Sequence, residues 1–202
     1  MNSKEKNRLD VILASASPRR RDLLREIVPD FRVVPSRVDE DLFRDRDPVV
    51  FARRAAIAKA RAVGAEHPSS LIIAADTVVC CDEDIFGKPK SRREAESMLE
   101  RLSRKRHRVV TAVALYREDQ DRMLSGQATS WVTFKMLSRA DIEKYLDAND
   151  FLDKAGSYAI QESGDALVRK LEGDYDNVVG LPIRLLRELL TDFLNPRKTS
   201  DI

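Results

Sequence analysis

The sequence predicts an α/β fold built on a mixed, twisted sheet flanked by helices. Short apolar runs alternate with capped, amphipathic segments in the first half of the chain, as strands and helices do in α/β proteins. In the middle of the chain, two apolar runs are separated by polar sequence containing glycine, which predicts an antiparallel hairpin. The chain has no internal repeat and no low-complexity linker. Residues 1–202 are therefore expected to form a single domain.

The elements of the first half follow from capping signals and apolar runs. Serine or aspartate suits an N-cap and proline suits the first helical position, so Ser17-Pro18 and Asp47-Pro48 predict two helix starts. Apolar runs predict strands around these helices, at residues 11–14, 31–34 and 71–75. The last run is apolar throughout, as in a strand buried on both faces, and it delivers Asp76 at its far end.

The second half begins with two capping signatures, which predict helices starting after Ser91 and after Ser138. Apolar patterning predicts two hairpin strands, two short strands and a closing helix, at residues 109–116, 131–135, 158–161, 167–171 and 182–194. The tail after about residue 195 is expected to be flexible.

Composition and charge argue against several classes of protein. The chain has 36 Lys and Arg against 34 Asp and Glu, and a net charge of +2 provides no general attraction to nucleic acid or membrane lipid. No signal peptide is recognisable, and no run approaches the roughly 20 apolar residues that span a bilayer. The two cysteines, Cys80 and Cys81, are adjacent, so a disulfide between them would be strained. Free thiols in a reducing compartment, and a cytoplasmic location, are therefore expected.

The first predicted helix start carries an unusual set of cations. Arg19, Arg20 and Arg21 lie in the first turn, where the helix dipole disfavours positive charge by roughly 0.3–1 kcal/mol per residue. A bound polyanion would remove this penalty, because guanidinium groups, free backbone N–H groups and the Ser15 hydroxyl all suit phosphate oxygens. A solvated basic helix start is the alternative. We interpret the segment as a candidate anion site.

Asp76 follows five apolar residues, at a position where α/β sheets place ligands. A carboxylate there can bind Mg²⁺ or act as a general base toward water. An acidic loop earlier in the chain includes Glu40, which is a candidate second metal ligand. The alternative for Asp76 is an ordinary loop aspartate or a helix cap.

Three further polar residues are candidates, each with a plain alternative. Lys88 stands between glycine and proline in a loop that would present its ammonium group, although a surface turn has the same composition. Lys59 lies among alanines on a predicted helix, where surface lysines are common. Gln161 has an amide that both donates and accepts and so can read the edge of a base, although an exposed turn also accommodates glutamine. His107 is interpreted as structural.

Five short blocks, taken together, resemble the Maf family of nucleotide pyrophosphatases, relatives of the inosine triphosphatase fold. The blocks read LASASPRR, ADTVV, GKP, DKAGSYAIQ and NVVGLP, at residues 13–20, 75–79, 87–89, 153–161 and 177–182. They occur in the family's order, and the resemblance extends from about Leu13 to Leu194. This chain departs from the family's pattern beside two expected loops, at Arg104 and Glu162.

The resemblance implies two lobes around a central cleft and cleavage of a nucleoside triphosphate between its α- and β-phosphates. It makes Asp76 the proton acceptor. It also implies a divalent cation, Mg²⁺ or Mn²⁺, with Asp76 and Glu40 as its ligands. A further set of side chains would hold and neutralise the triphosphate: Ser15, Arg20, Lys59 and Lys88.

The same resemblance bears on substrate choice. It implies that Arg19, Thr77 and Gln161 select the substrate, and these three residue types match the branch that resembles dTTP and UTP pyrophosphatases. A homodimer is also implied. Two alternatives stay open: a hydrolase that removes modified, for example methylated, nucleotides, and a non-catalytic nucleotide-binding regulator of septum formation. A catalytic carboxylate at residue 76 argues against a protein that only binds.

Overall fold

The computed structural model describes residues 9–195, except for the side chains of residues 162–165. The strands β1 to β7 are Val11–Leu13, Arg32–Val33, Leu71–Cys81, Asp84–Phe86, Arg106–Arg117, Arg122–Phe134 and Val168–Glu172. The α-helices α1 to α7 are Pro18–Arg25, Pro48–Glu66, Arg92–Leu102, Arg139–Ala148, Ile160–Leu167, Tyr175–Val179 and Ile183–Leu194. Short 3-10 helices are found at Glu40–Phe43, Glu118–Gln120 and Ala155–Ser157. The tail predicted to be flexible lies outside the described residues, as does the side chain of Glu162.

Within the described range the strands form one sheet, in the order β2-β1-β3-β5-β6-β7, with β4 paired to β3. Strand β1 is parallel to both β2 and β3, whereas the other pairings are antiparallel. The predicted fold class, a mixed sheet flanked by helices, is confirmed. None of the helices in the described part of the chain is long and apolar enough to cross a membrane.

Strand β3 is longer than predicted, and this changes the position of Asp76. The prediction that the strand ends before Asp76 is wrong: β3 continues to Cys81, and Asp76 pairs with Ala112 of β5. The neighbour on the other side, β1, ends at Leu13, opposite Ile73. Asp76 therefore lies inside a strand but beyond the end of its parallel neighbour, because the pairing with β5 continues after the pairing with β1 has stopped.

The predicted hairpin is confirmed as β5 and β6, and both strands are longer than their apolar runs. The strand predicted at residues 158–161 is wrong: this segment follows a 3-10 helix and leads into α5. Short apolar runs do not distinguish a strand from a buried helix start, which explains the error. Strand β4 and the helices α5 and α6 were not predicted.

The side chains of β3 alternate between two faces of the sheet. One face packs against α2 in a single apolar cluster. On the other face, Ile73 and Ala75 belong to a cluster with α1 and α7, whereas Val79 and Cys81 belong to a second cluster with α3 and α4. Thr77 stands between these two clusters. The interruption of the core at this point leaves room for a cleft between two lobes, one around α1 and α7 and the other around α3 and α4.

Candidate functional site

A cleft of about 210 Å³ lies where the two lobes meet. All the side chains predicted for the site line it: Ser15, Arg19, Arg20, Glu40, Lys59, Asp76, Thr77, Lys88 and Gln161. These residues come from distant parts of the chain, and the fold brings all of them together. Their chemical roles stay predictions.

Two carboxylates and two lysines form an ion cluster on one wall of the cleft. Lys59 Nζ donates to Asp76 Oδ1 and to Glu40 Oε1, at 2.6 Å in each case. Lys88 Nζ donates to the same Glu40 oxygen at 2.8 Å. Lys59 is 5% exposed and Asp76 is 3% exposed, so this pair is held away from bulk water. The lysine on α2 is thus a buried partner of the cleft carboxylates and not a surface residue.

The two carboxyl groups of this cluster have different acidities. Burial raises the pKa of Asp76 above its ordinary value, and this effect outweighs the opposing charge of Lys59. Burial also acts on Glu40, but the Lys59 and Lys88 ammonium groups outweigh it there and lower the pKa of Glu40 to about 2. Of the two groups, Asp76 is therefore the better proton acceptor near neutral pH, and Glu40 stays ionised.

Arg20 is held firmly at the start of α1. Its Nε donates to Gly180 O at 2.8 Å, its Nη1 to Ser15 Oγ at 3.3 Å and its Nη2 to Thr77 Oγ1 at 3.0 Å. The helix begins as predicted, with Ser17 as N-cap and proline at the first position. A guanidinium has five N–H groups, so these contacts leave two for a ligand. The orientation is fixed before any ligand binds.

Arg19 contacts the opposite side of the cleft. Its Nη2 donates to Asp153 Oδ2 at 3.1 Å, across a separation of 134 residues. Asp153 also lies 3.3 Å from the ammonium of Lys154, which is 3% exposed and lines the cleft. Neither Asp153 nor Lys154 was predicted to have a role, although both belong to a block that carries the family resemblance. Membership of that block was the signal in the sequence that could have identified them.

The loop that carries Lys88 is joined to the segment that leads to Gln161. The N–H of Gly156 donates to Gly87 O at 3.0 Å. Gly156 has a φ of 67°, and a Cβ at this position would lie 3.0 Å from the side chain of Val79. Glycine therefore permits both the left-handed backbone and the close approach to β3. This contact fixes two walls of the cleft relative to each other.

His107 has no contact with the ion cluster. Its Nε2 is 2.8 Å from Tyr158 Oη, and its ring packs edge-on against Phe134 and Tyr158. Burial lowers the pKa of His107 to about 4, so the ring is neutral at pH 7. Its position in the α3–α4 cluster agrees with the structural interpretation.

The donor set of the ion cluster fits a magnesium or manganese ion. Such ions prefer carboxylate oxygens, and Mg²⁺ is usually held by one or two carboxylates together with water and substrate phosphates. The contacts to Lys59 and Lys88 use one oxygen of Asp76 and one of Glu40. No group of three or more His, Cys, Asp or Glu side chains within the described part of the chain could hold a metal. A cation would therefore depend on these two carboxylates and on the phosphates of a bound ligand.

Known proteins provide a comparison for this arrangement. A family model described as Maf-like protein matches residues 10–193. Proteins named dTTP/UTP pyrophosphatase from Clostridioides difficile, Moorella thermoacetica and Pyrococcus furiosus are 41%, 44% and 44% identical to this chain. These alignments cover 93%, 91% and 89% of this chain, and 96%, 94% and 93% of the relatives.

Among solved structures, the Staphylococcus aureus Ham1 protein is similar over 91% of this chain and 99% of its own, with a TM-score of 0.49 and 17% identity. The family model and the sequence relatives agree over nearly the whole length of the chain. The family model includes every residue that lines the cleft. The chain belongs to the Maf family.

Proposed function

We propose that this protein hydrolyses dTTP and UTP to the nucleoside monophosphate and pyrophosphate. The observation that carries the proposal is the buried Asp76–Lys59 pair, joined by Glu40, beside the fixed guanidinium of Arg20 in one cleft. A carboxylate that can accept a proton thus lies beside cations that suit phosphate groups. The full-length relatives named dTTP/UTP pyrophosphatase support this assignment.

Arg20 and Lys88 bind the triphosphate in the proposed mechanism, with Ser15 and the backbone N–H groups of the first turn of α1. Arg20 has two N–H groups left for phosphate oxygens, and Lys88 is half exposed at the mouth of the cleft. Lys59 stabilises both carboxylates and adds positive charge close to the reacting phosphate. Positioning and neutralisation of charge supply most of the rate enhancement in reactions of this kind.

Asp76 acts as the general base in this mechanism. It accepts a proton from a water molecule whose oxygen attacks the α-phosphorus in line with the leaving group. The new P–O bond forms as the bond from the α-phosphorus to the bridging oxygen breaks, and pyrophosphate leaves with the electron pair. Burial raises the pKa of Asp76, which brings its basicity closer to that needed near pH 7.

Asp76 and Glu40 are the residues that would hold Mg²⁺ or Mn²⁺. When bound, the cation would neutralise phosphate charge and stabilise the charge that develops on the leaving group. Glu40 suits this role because its pKa of about 2 keeps it ionised at any pH at which the protein would work.

Arg19, Thr77 and Gln161 are proposed to select the base and sugar of the substrate. All three line the cleft, and Arg19 is oriented by Asp153. We further propose that residues 1–202 form a single domain, since one sheet runs through the described range. The family resemblance supports a homodimer. Two free, buried cysteines support a reducing, cytoplasmic location.

Release of pyrophosphate from a panel of nucleoside triphosphates tests the proposal. The panel contains dTTP, UTP, CTP, GTP, ATP and 5-methyluridine triphosphate, each with Mg²⁺ or Mn²⁺ and with a chelator as control. Fastest turnover of dTTP and UTP, only with metal, is the expected result. A strong preference for a methylated nucleotide would favour the hydrolase of modified nucleotides. Tight nucleotide binding without turnover would favour the regulator.

A further inference from the structure

A chain of hydrogen bonds leads from Thr77, on the wall of the cleft, into the core. Thr77 Oγ1 lies 3.0 Å from Thr111 Oγ1, on the adjacent strand β5, where the two residues are directly paired. Thr111 Oγ1 donates in turn to the backbone oxygen of Asn177, at 2.9 Å. Thr111 and Asn177 are both 0% exposed, whereas Thr77 is partly exposed and lines the cleft.

The number of hydrogens determines the direction of these bonds. A hydroxyl has one hydrogen, and a carbonyl oxygen can only accept. The hydrogen of Thr111 is committed to Asn177 O, so Thr111 must accept from Thr77. Thr77 also accepts from Arg20 Nη2 at 3.0 Å. The one hydrogen of Thr77 is therefore directed away from the cleft.

We infer that Thr111 is a positioning residue that makes Thr77 an acceptor-only contact, selecting a hydrogen-bond donor on the nucleoside. The inference rests on the proposed function, since it concerns how that cleft selects its substrate. Two groups of UTP and dTTP have the required chemistry, namely the imide N3–H of the base and the 3′-hydroxyl of the sugar. In cytosine, N3 is an acceptor, so its lone pair would face the lone pair of Thr77 Oγ1 with no hydrogen between the two atoms.

Thr111 acts through Thr77 because it lines no part of the cleft in the described structure. Reversing the Thr77 hydroxyl to suit an acceptor would remove its bond to Thr111, inside a buried site. A typical hydrogen bond contributes enough to change an equilibrium roughly two- to tenfold, and more where a buried group is left unpaired. The chain of hydrogen bonds thus lowers the affinity for a ligand that presents an acceptor to Thr77, without any steric clash.

Binding of non-hydrolysable nucleotides to the full chain tests the inference separately from catalysis. The probes are the α,β-methylene analogues of UTP, of CTP and of 3′-O-methyluridine triphosphate, titrated calorimetrically with Mg²⁺. The second probe has an acceptor in place of the base donor, and the third has one in place of the sugar donor. The proteins are wild type, Thr111→Val, which is nearly isosteric but has no hydroxyl, and Thr111→Ser, which keeps the hydroxyl.

Wild type is expected to bind the UTP analogue roughly five- to tenfold more tightly than one of the two acceptor probes. The Thr111→Val variant should reduce that gap to within about twofold, because its Thr77 hydroxyl is free to donate. Thr111→Ser should keep the gap. The probe whose affinity gap is reduced in Thr111→Val shows whether the donor belongs to the base or to the sugar.

Equal binding of all three probes by wild type overturns the inference, whatever the variants do. A uniform loss of affinity in Thr111→Val also overturns it, because that result indicates a role in folding alone. If wild type discriminates among the probes as expected but releases no pyrophosphate from dTTP or UTP, the proposed function fails and the inference about Thr77 stands.

Discussion

Replacing Asp76 by asparagine is expected to abolish turnover while leaving the fold intact. The side chain is 3% exposed, and burial already disfavours its charge, as the raised pKa shows. An amide of the same shape removes that unfavourable burial of charge and can still accept a hydrogen bond from Lys59. Lys59 also keeps its second partner, Glu40, at 2.6 Å. We therefore expect the free energy of unfolding to change by no more than about 1 kcal/mol, the size of one ordinary hydrogen bond.

The effect on the reaction should be far larger. An amide cannot take the proton of the attacking water, and general-base assistance contributes about 10²–10⁴-fold. Weaker metal binding would add to this loss. The expected value of kcat is therefore at least about a hundredfold below that of wild type, while UTP still raises the melting temperature through Arg20 and Lys88.

Pyrophosphate release at saturating Mn²⁺ and thermal melts with and without UTP measure the two effects. Asp141→Asn is the matched control, since Asp141 belongs to the exposed capping box of α4 and lies outside the cleft. That control should lose up to about 1 kcal/mol of stability and no activity. If Asp76→Asn keeps more than about a tenth of wild-type activity, Asp76 is not the general base, and Glu40 becomes the next candidate.

Three further predictions concern other residues. Arg20→Ala should lower kcat/KM for UTP about ten- to a hundredfold, since a charge-assisted contact is lost; steady-state kinetics within twofold of wild type would contradict this. Gln161→Glu should lower activity on UTP and dTTP far more than the melting temperature; competition between nucleotides checks it, and an unchanged preference refutes it. The free energy of unfolding should fall by about 2 kcal/mol from pH 7 to pH 5 because of His107, whose ring binds a proton near pH 6.5 in the unfolded state but only near pH 4 in the folded state. Urea unfolding should show this loss in wild type and a smaller one in His107→Gln.

The type and order of the main elements could be predicted from local signals. Proline after a capping residue identified the starts of α1 and α2, and serine identified those of α3 and α4. A capping signal acts within one turn of the helix, so it can be recognised in the sequence without knowing which elements the helix packs against. The extent of β3 could not be predicted in this way. Asp76 interrupts its apolar pattern, and only the pairing with β5 shows that the strand continues.

The residues of the site could be predicted because each was an unusual residue type at its position or belonged to a block that matches the family. Their partners were not predictable. Nothing local indicates that Arg19 contacts Asp153, 134 residues away, or that Thr111 supports Thr77 from the next strand. Thr111 in particular looks like an ordinary strand residue, since threonine favours strands. Its proposed role depends on a hydrogen-bond direction that exists only after folding.

Lys59 shows how packing converts an ordinary residue into part of a site. Helix α2 faces the sheet with small side chains, since Ala52, Ala55, Ala56 and Ala60 are all 0% exposed. Against them β3 and β5 present further alanines and short apolar side chains. Small residues on both sides allow a helix and a sheet to approach closely, so a lysine on the buried face is carried into the interior. Its ammonium donates to Asp76, inside strand β3. The alanines, which on their own indicate only helix propensity, therefore account for the buried ion pair on which the proposed chemistry depends.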